Sequence, residues 1–178
     1  MRFNKNLANV SKDNLKNNYI FVHTNVVWTM KIEDVIKTQN MQMHTRTIIN
    51  LVYTANEINN SISDAIKPFE ISIPQFNVLR ILKGQKGQPA NLSTIQDRMI
   101  AKMSNTTRIV DKLIDKGLVK RIQCPKNRRK VEIFITKEGL TLLEKVNIAV
   151  ADTEKEIVSR LSEDQLEMLN QVLDTLRS

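Results

Sequence analysis

The chain has little of what a redox, metal or membrane protein would use. One cysteine, Cys124, occurs in 178 residues, which excludes an internal disulfide. Together with two histidines, His23 and His44, it cannot furnish a zinc site of the usual four-ligand kind. No uninterrupted apolar run reaches the roughly 18 residues that a spanning helix needs. The stretch "YIFVHTNVVWTM" (19–30) is broken by His, Thr and Asn and lacks a small-residue cleavage site, so it does not read as a secretory signal. The expected compartment is therefore the cytoplasm. Glycine and proline number four each, and aromatics make up only 4% of the chain. So few turn residues suggest long helices. No nucleophile–base pair, paired carboxylate motif, Gly-rich phosphate loop or metal cluster is visible, so neither enzymatic activity nor a cofactor is expected.

What is present is positive charge on a chain with enough apolar residues for a core. Hydrophobic residues make up 41%, the formal net charge is +8 and the isoelectric point is about 9.7. Such a balance points to a polyanionic partner, nucleic acid or an anionic surface, or else to a basic protein with nothing bound. The charge is unevenly placed. Residues 1–29 are Asn-rich, carry Arg2, Lys5, Lys12 and Lys16 against Asp13 alone, and show no sustained helical period. They are expected to be a disordered or non-native extension before "MKIEDVIK", with a DNA-contacting basic arm as the alternative. In "QCPKNRRKVEIFIT" (123–136), four cations, Lys126, Arg128, Arg129 and Lys130, fall within five residues without an acid.

Periodicity supplies the frame. Ile48, Val52, Ala55, Ile62 and Ile66 recur at helical spacing over 45–67, and Pro68 ends the run. That helix is apolar on more than one face, as expected of a central helix or one shared with a second subunit. Capping-box patterns at Ser72–Gln75, Ser93–Gln96 and Ser162–Gln165 predict three further helix starts. The second opens a short helix over 94–100. "MSNTTRIVDKLIDKGLV" predicts a helix capped by Ser104 and ended by Gly117, with Thr106, Ile109, Val110 and Leu113 inward. Two strand-like runs, 119–124 and 130–135, follow, and Thr136 caps a further long helix. A short helix, a turn and a second helix form a helix-turn-helix, and the basic hairpin directly after it is a wing.

This order gives the cations a use. A hairpin tip beside a recognition helix can reach the DNA backbone or minor groove, where a guanidinium suits a narrow, electronegative channel. The candidate DNA contacts are therefore Lys126, Arg128, Arg129 and Lys130 in the wing, and Ser104, Asn105, Thr107, Arg108 and Lys112 on the helix. Their bland alternatives are a solvated turn, a cap at Ser104, a packed Thr107, and an Arg108 paired with Asp111. A winged-helix module that binds protein is the competing function, although it has no need of four cations there.

The stretch "STIQDRMIAKMSNTTRIVDKLIDKGLVKRIQCPKNRRKVEIFITKEGLTLL" (93–143) resembles the winged helix-turn-helix core of the MarR (multiple antibiotic resistance regulator) family of bacterial transcription factors. The matching motifs are "TRIVDKLIDKGLV" (107–119), "NRR" (127–129) and "ITKEGLTLL" (135–143), with "ISIPQFNVLRIL" (71–82) as a looser fit. The resemblance implies a mainly α fold with a small β-hairpin wing. The winged helix-turn-helix would lie at about 72–136 within a 30–178 domain, and dimerisation helices at about 40–67 and 137–178. It further implies a homodimer on a pseudo-palindromic double-stranded operator, a repressor in character, in many members released by a small phenolic or aromatic effector. The family wing usually reads Asp-x-Arg; here Asn127 replaces the acid and Arg129 keeps the arginine. The peroxide-sensing branch carries a cysteine near the start of its first long helix. None is there, and Cys124, at the base of the wing, reads as a small strand residue.

Overall fold

A computed structural model describes residues 30–100, 105–123 and 131–178. The expectations for residues 1–29, for Ser104 and for Cys124 to Lys130 lie outside the described residues. The described residues belong to two units, divided between Gln42 and Met43. The described piece of that first unit holds one short helix, α1 (Ile32–Val35), which periodicity did not signal.

The main unit is helical with one hairpin. Its elements are α2 (Met43–Ile66), α3 (Ile73–Lys83), α4 (Leu92–Arg98), α5 (Thr106–Asp115), β1 (Val119–Gln123), β2 (Val131–Ile135), α6 (Lys137–Val158) and α7 (Glu163–Arg177). This is the expected winged helix-turn-helix flanked by long helices. A 3-10 turn over Lys67–Phe69 follows α2, with Pro68 inside it, and Glu70 turns the chain in the left-handed region at φ 55°. No helix among the described residues is long and apolar enough to cross a membrane.

The helix starts follow local chemistry. Ser72 and Ser162 each complete a capping box with Gln75 and Gln165, as expected. Thr136 caps α6 by accepting from the Gly139 amide at 3.0 Å. Two start signals differ from expectation. In α4 the cap is Asn91, whose Oδ1 accepts from the Thr94 amide at 2.8 Å; the Ser93 hydroxyl donates to that same oxygen. A side-chain amide two residues upstream thus displaces the Ser93 box, and the helix runs 92–98 rather than 94–100. In α5 the cap position falls on Asn105, one residue after Ser104, and the Asn105 side chain makes no cap bond.

One core runs under the wing. Phe76, Val78, Leu79 and Leu82 of α3 meet Ile95 of α4, Ile109, Val110 and Leu113 of α5, Ile133 of β2, and Leu143, Val146 and Val150 of α6. The four α5 residues expected inward, Thr106, Ile109, Val110 and Leu113, are all buried. The strands pair antiparallel, Val119 opposite Ile135 and Arg121 opposite Ile133. An unanticipated third edge joins them: Ala90 exchanges both backbone hydrogen bonds with Ile133, at 3.0 and 2.8 Å. A single residue with no flanking alternation leaves no strand signal in sequence.

Candidate nucleic-acid interface

The recognition helix α5 is short, and its composition divides it sharply. At 100° per residue the buried set fills one side. Thr107, Asp111, Asp115, Arg108, Lys112, Asn105 and Lys116 fill the other in that angular order, with Arg108 near the middle. Thr107, Arg108, Lys112, Lys116 and Asn105 are exposed, and Asp111 is half-buried. Four of the nine expected contact residues are therefore described, and the fold places all four on the outward side of one helix. Thr107 does not pack inward. Arg108 is not paired with Asp111, because that carboxylate is taken by Arg121 of β1 at 2.6 Å.

The ends of α5 are pinned. Gly117, at φ 70°, closes a Schellman turn. Its amide donates to the Ile114 carbonyl at 2.8 Å, and the Leu118 amide donates to the Leu113 carbonyl at 2.9 Å. The Thr136 hydroxyl donates to the Gly117 carbonyl at 2.8 Å, so the cap of α6 also holds the end of α5. α6 comes so close here that a Cβ on Gly139 would lie 2.2 Å from the Leu118 oxygen. Lys116 Nζ donates to the Glu70 carbonyl at 2.7 Å, tying the same end to the bend after α2. Sequence reasoning missed Lys116 and Arg121, whose partners lie 46 and 10 residues away.

A cleft of about 500 Å³ runs beside the helix, lined by Glu70, Ser72, Gln75, Arg108, Lys112 and Lys116 among others. Three of these six are cations. Charge along the sequence follows the same division. Residues 72–136 hold fourteen Lys and Arg against four Asp and Glu, whereas 43–71 and 137–178 together hold seven against twelve. Phosphate neutralisation requires this kind of concentrated positive surface.

Comparison with known proteins places the arrangement. A family model described as "MarR family" matches residues 71–131. The HTH-type transcriptional regulator MhqR of Bacillus subtilis (strain 168) is 32% identical over 116 residues, covering 65% of this chain and 79% of that protein. The HTH-type transcriptional repressor IacR of Pseudomonas putida is 29% identical over 111 residues, covering 62% of this chain; the chain spans 65% of that relative's length. Among solved structures, a mutant MarR of E. coli complexed with operator DNA has a TM-score of 0.67 at 20% identity, covering 78% of this chain and 99% of that one. At that identity the likeness is one of fold.

Proposed function

The chain belongs to the MarR family of transcriptional regulators, and from that premise we propose that it is a sequence-specific double-stranded DNA-binding repressor. It acts as a homodimer on a pseudo-palindromic operator. The observation that carries the reading is the outward side of α5. Arg108 stands near its centre, with no ion pair among the described residues, between Thr107 on the wing side and Lys112 on the other. A long, forked donor in that position suits a guanine edge in the major groove. The wing cations Lys126, Arg128, Arg129 and Lys130 supply minor-groove and phosphate contacts. Ser104 and Asn105, at the helix start, supply phosphate contacts. The repressor assignment draws on the likeness to IacR, a named repressor.

The dimer reading rests on apolar surface. Ile48, Val52 and Tyr53 of α2 and Met168, Leu169, Val172 and Leu176 of α7 are exposed in one protomer. A second copy would bury them and set two recognition helices about one DNA turn apart. A small aromatic anion or phenol as effector fits the same frame. The cationic cleft reaches Arg108 and Lys112, so a bound anion there would compete with phosphate for both.

The test is genome-wide mapping of bound sites, with and without candidate phenolics, followed by titration of the recovered duplex against a scrambled one across a salt series. Two equivalent half-sites, a tighter operator complex and release by one phenolic are expected. Equal binding of both duplexes at every salt concentration would overturn the reading.

A further inference from the structure

Asp111 is one of two acids, with Asp115, on the outward side of α5, and the only one of the two that is half-buried. It is one of only four acids in residues 72–136. A carboxylate facing phosphate lowers affinity by repulsion, so its place calls for a compensating role. Its Oδ1 accepts from Arg121 Nη2 at 2.6 Å, and both side chains are partly shielded, at 48% and 33% exposure. Arg121 is the middle residue of β1. It pairs with Ile133, which Ala90 holds from the other side.

We infer that Asp111 and Arg121 are positioning residues that fix the angle between the recognition helix and the wing, so that both meet their grooves at once. The inference rests on the DNA-binding reading above. Between α5 and β1 lie only Lys116, Gly117 and Leu118, and Gly117 is in the left-handed region. Arg121 stands two residues before the end of β1, and the wing cations follow in the segment between β1 and β2. A rotation of β1 about its root would be passed to whatever the strands carry, and hydrogen bonds weaken steeply once their distance and angle are lost. The pair also withholds Asp111 from Arg108, three residues earlier on the same side, and leaves that guanidinium for DNA.

The sign of one substitution separates positioning from charge. Removing an acid near DNA should by electrostatics alone tighten binding to any duplex. Under the positioning role, Asp111→Ala instead weakens the operator complex by about five- to tenfold, while scrambled duplex is held as well or better. Asp111→Glu restores most of the loss. The double variant Asp111→Ala/Arg121→Ala loses less than the two single losses combined, as coupled partners do. Active fractions come from stoichiometric titration, and thermal melts check the fold. Amide exchange over 119–135, measured without DNA, reads the anchoring independently and should quicken in Asp111→Ala. Tighter operator binding by Asp111→Ala, or unchanged exchange, overturns the inference, as does equal loss on both duplexes confined to Arg121→Ala, which would make Arg121 a phosphate contact. A wild-type protein that does not discriminate operator from scrambled duplex defeats the DNA-binding reading instead, and the exchange result still decides whether the pair anchors the wing.

Discussion

The winged part, 72–136, and the helices around it obey opposite rules. The winged part carries a large positive excess, and its core closes within one protomer: Val78, Leu79, Ile95, Val110, Leu113 and Ile133 are fully buried, with Ile66 of α2 and Leu143, Val146 and Val150 of α6 completing the cluster. The flanking helices carry a negative excess and leave apolar side chains in solvent. α2 buries only Ile66, and α7 buries none of its residues. A region whose core is closed within one protomer can spend its surface on charge. The apolar side chains exposed along α7, Met168, Leu169, Val172 and Leu176, are the surface that the proposed dimer would cover.

Removing α7 from Ser162 onward should do most damage. Sedimentation is expected to show a monomer at micromolar concentration, and tight operator binding should vanish. A truncated protein that still dimerises would break the comparison. Next come two leucines chosen from its two sides. Leu113→Ala should cost about 2–5 kcal/mol in urea unfolding, since its site is closed on all sides. Leu169→Ala, 46% exposed in one protomer, should cost under about 0.5 kcal/mol if its helix is solvated. Covered by a partner in each of two copies, it should instead weaken dimerisation by on the order of 2–4 kcal/mol.

Gly139→Ala probes the joint between the regions. Alanine is the better helix former by roughly 1 kcal/mol, but its methyl would overlap the Leu118 carbonyl. A net loss on the order of 1–3 kcal/mol is expected from denaturation. A gain in stability would mean that the two regions are not held so closely.

Within the winged part, Arg129→Ala and Arg108→Ala should each cost on the order of 1–3 kcal/mol in DNA binding, but in different ways. The first should weaken operator and scrambled duplex alike and flatten the salt slope. The second should fall mainly on the operator and relax preference at one position per half-site. The smallest effect belongs to the N-terminus. A chain beginning at Met30 should bind its operator with unchanged affinity. Weaker binding with a shallower salt slope would reveal a basic arm in residues 1–29.

Sequence by itself determined the order of elements, the inward face of α5 and most helix starts. These are local properties, set by side-chain period and by hydroxyls that reach amides three residues away. It also singled out Arg108, since a cation opposite a buried stripe must face out. It pointed to Ser93 as the cap of α4 where the fold uses Asn91, because caps two residues apart serve helices of nearly the same register and only the path of the chain before the helix selects one. Tertiary structure alone decided that Asp111 serves Arg121 rather than Arg108, that Ala90 extends the sheet through Ile133, and that Lys116 reaches the Glu70 carbonyl. Each joins groups that periodicity cannot relate, because their separation is fixed by how α3, α5 and α6 pack and not by any repeat along the chain. The same packing makes glycine necessary at 139, where the sequence shows only a residue early in a helix and the fold brings the carbonyl of Leu118 against it.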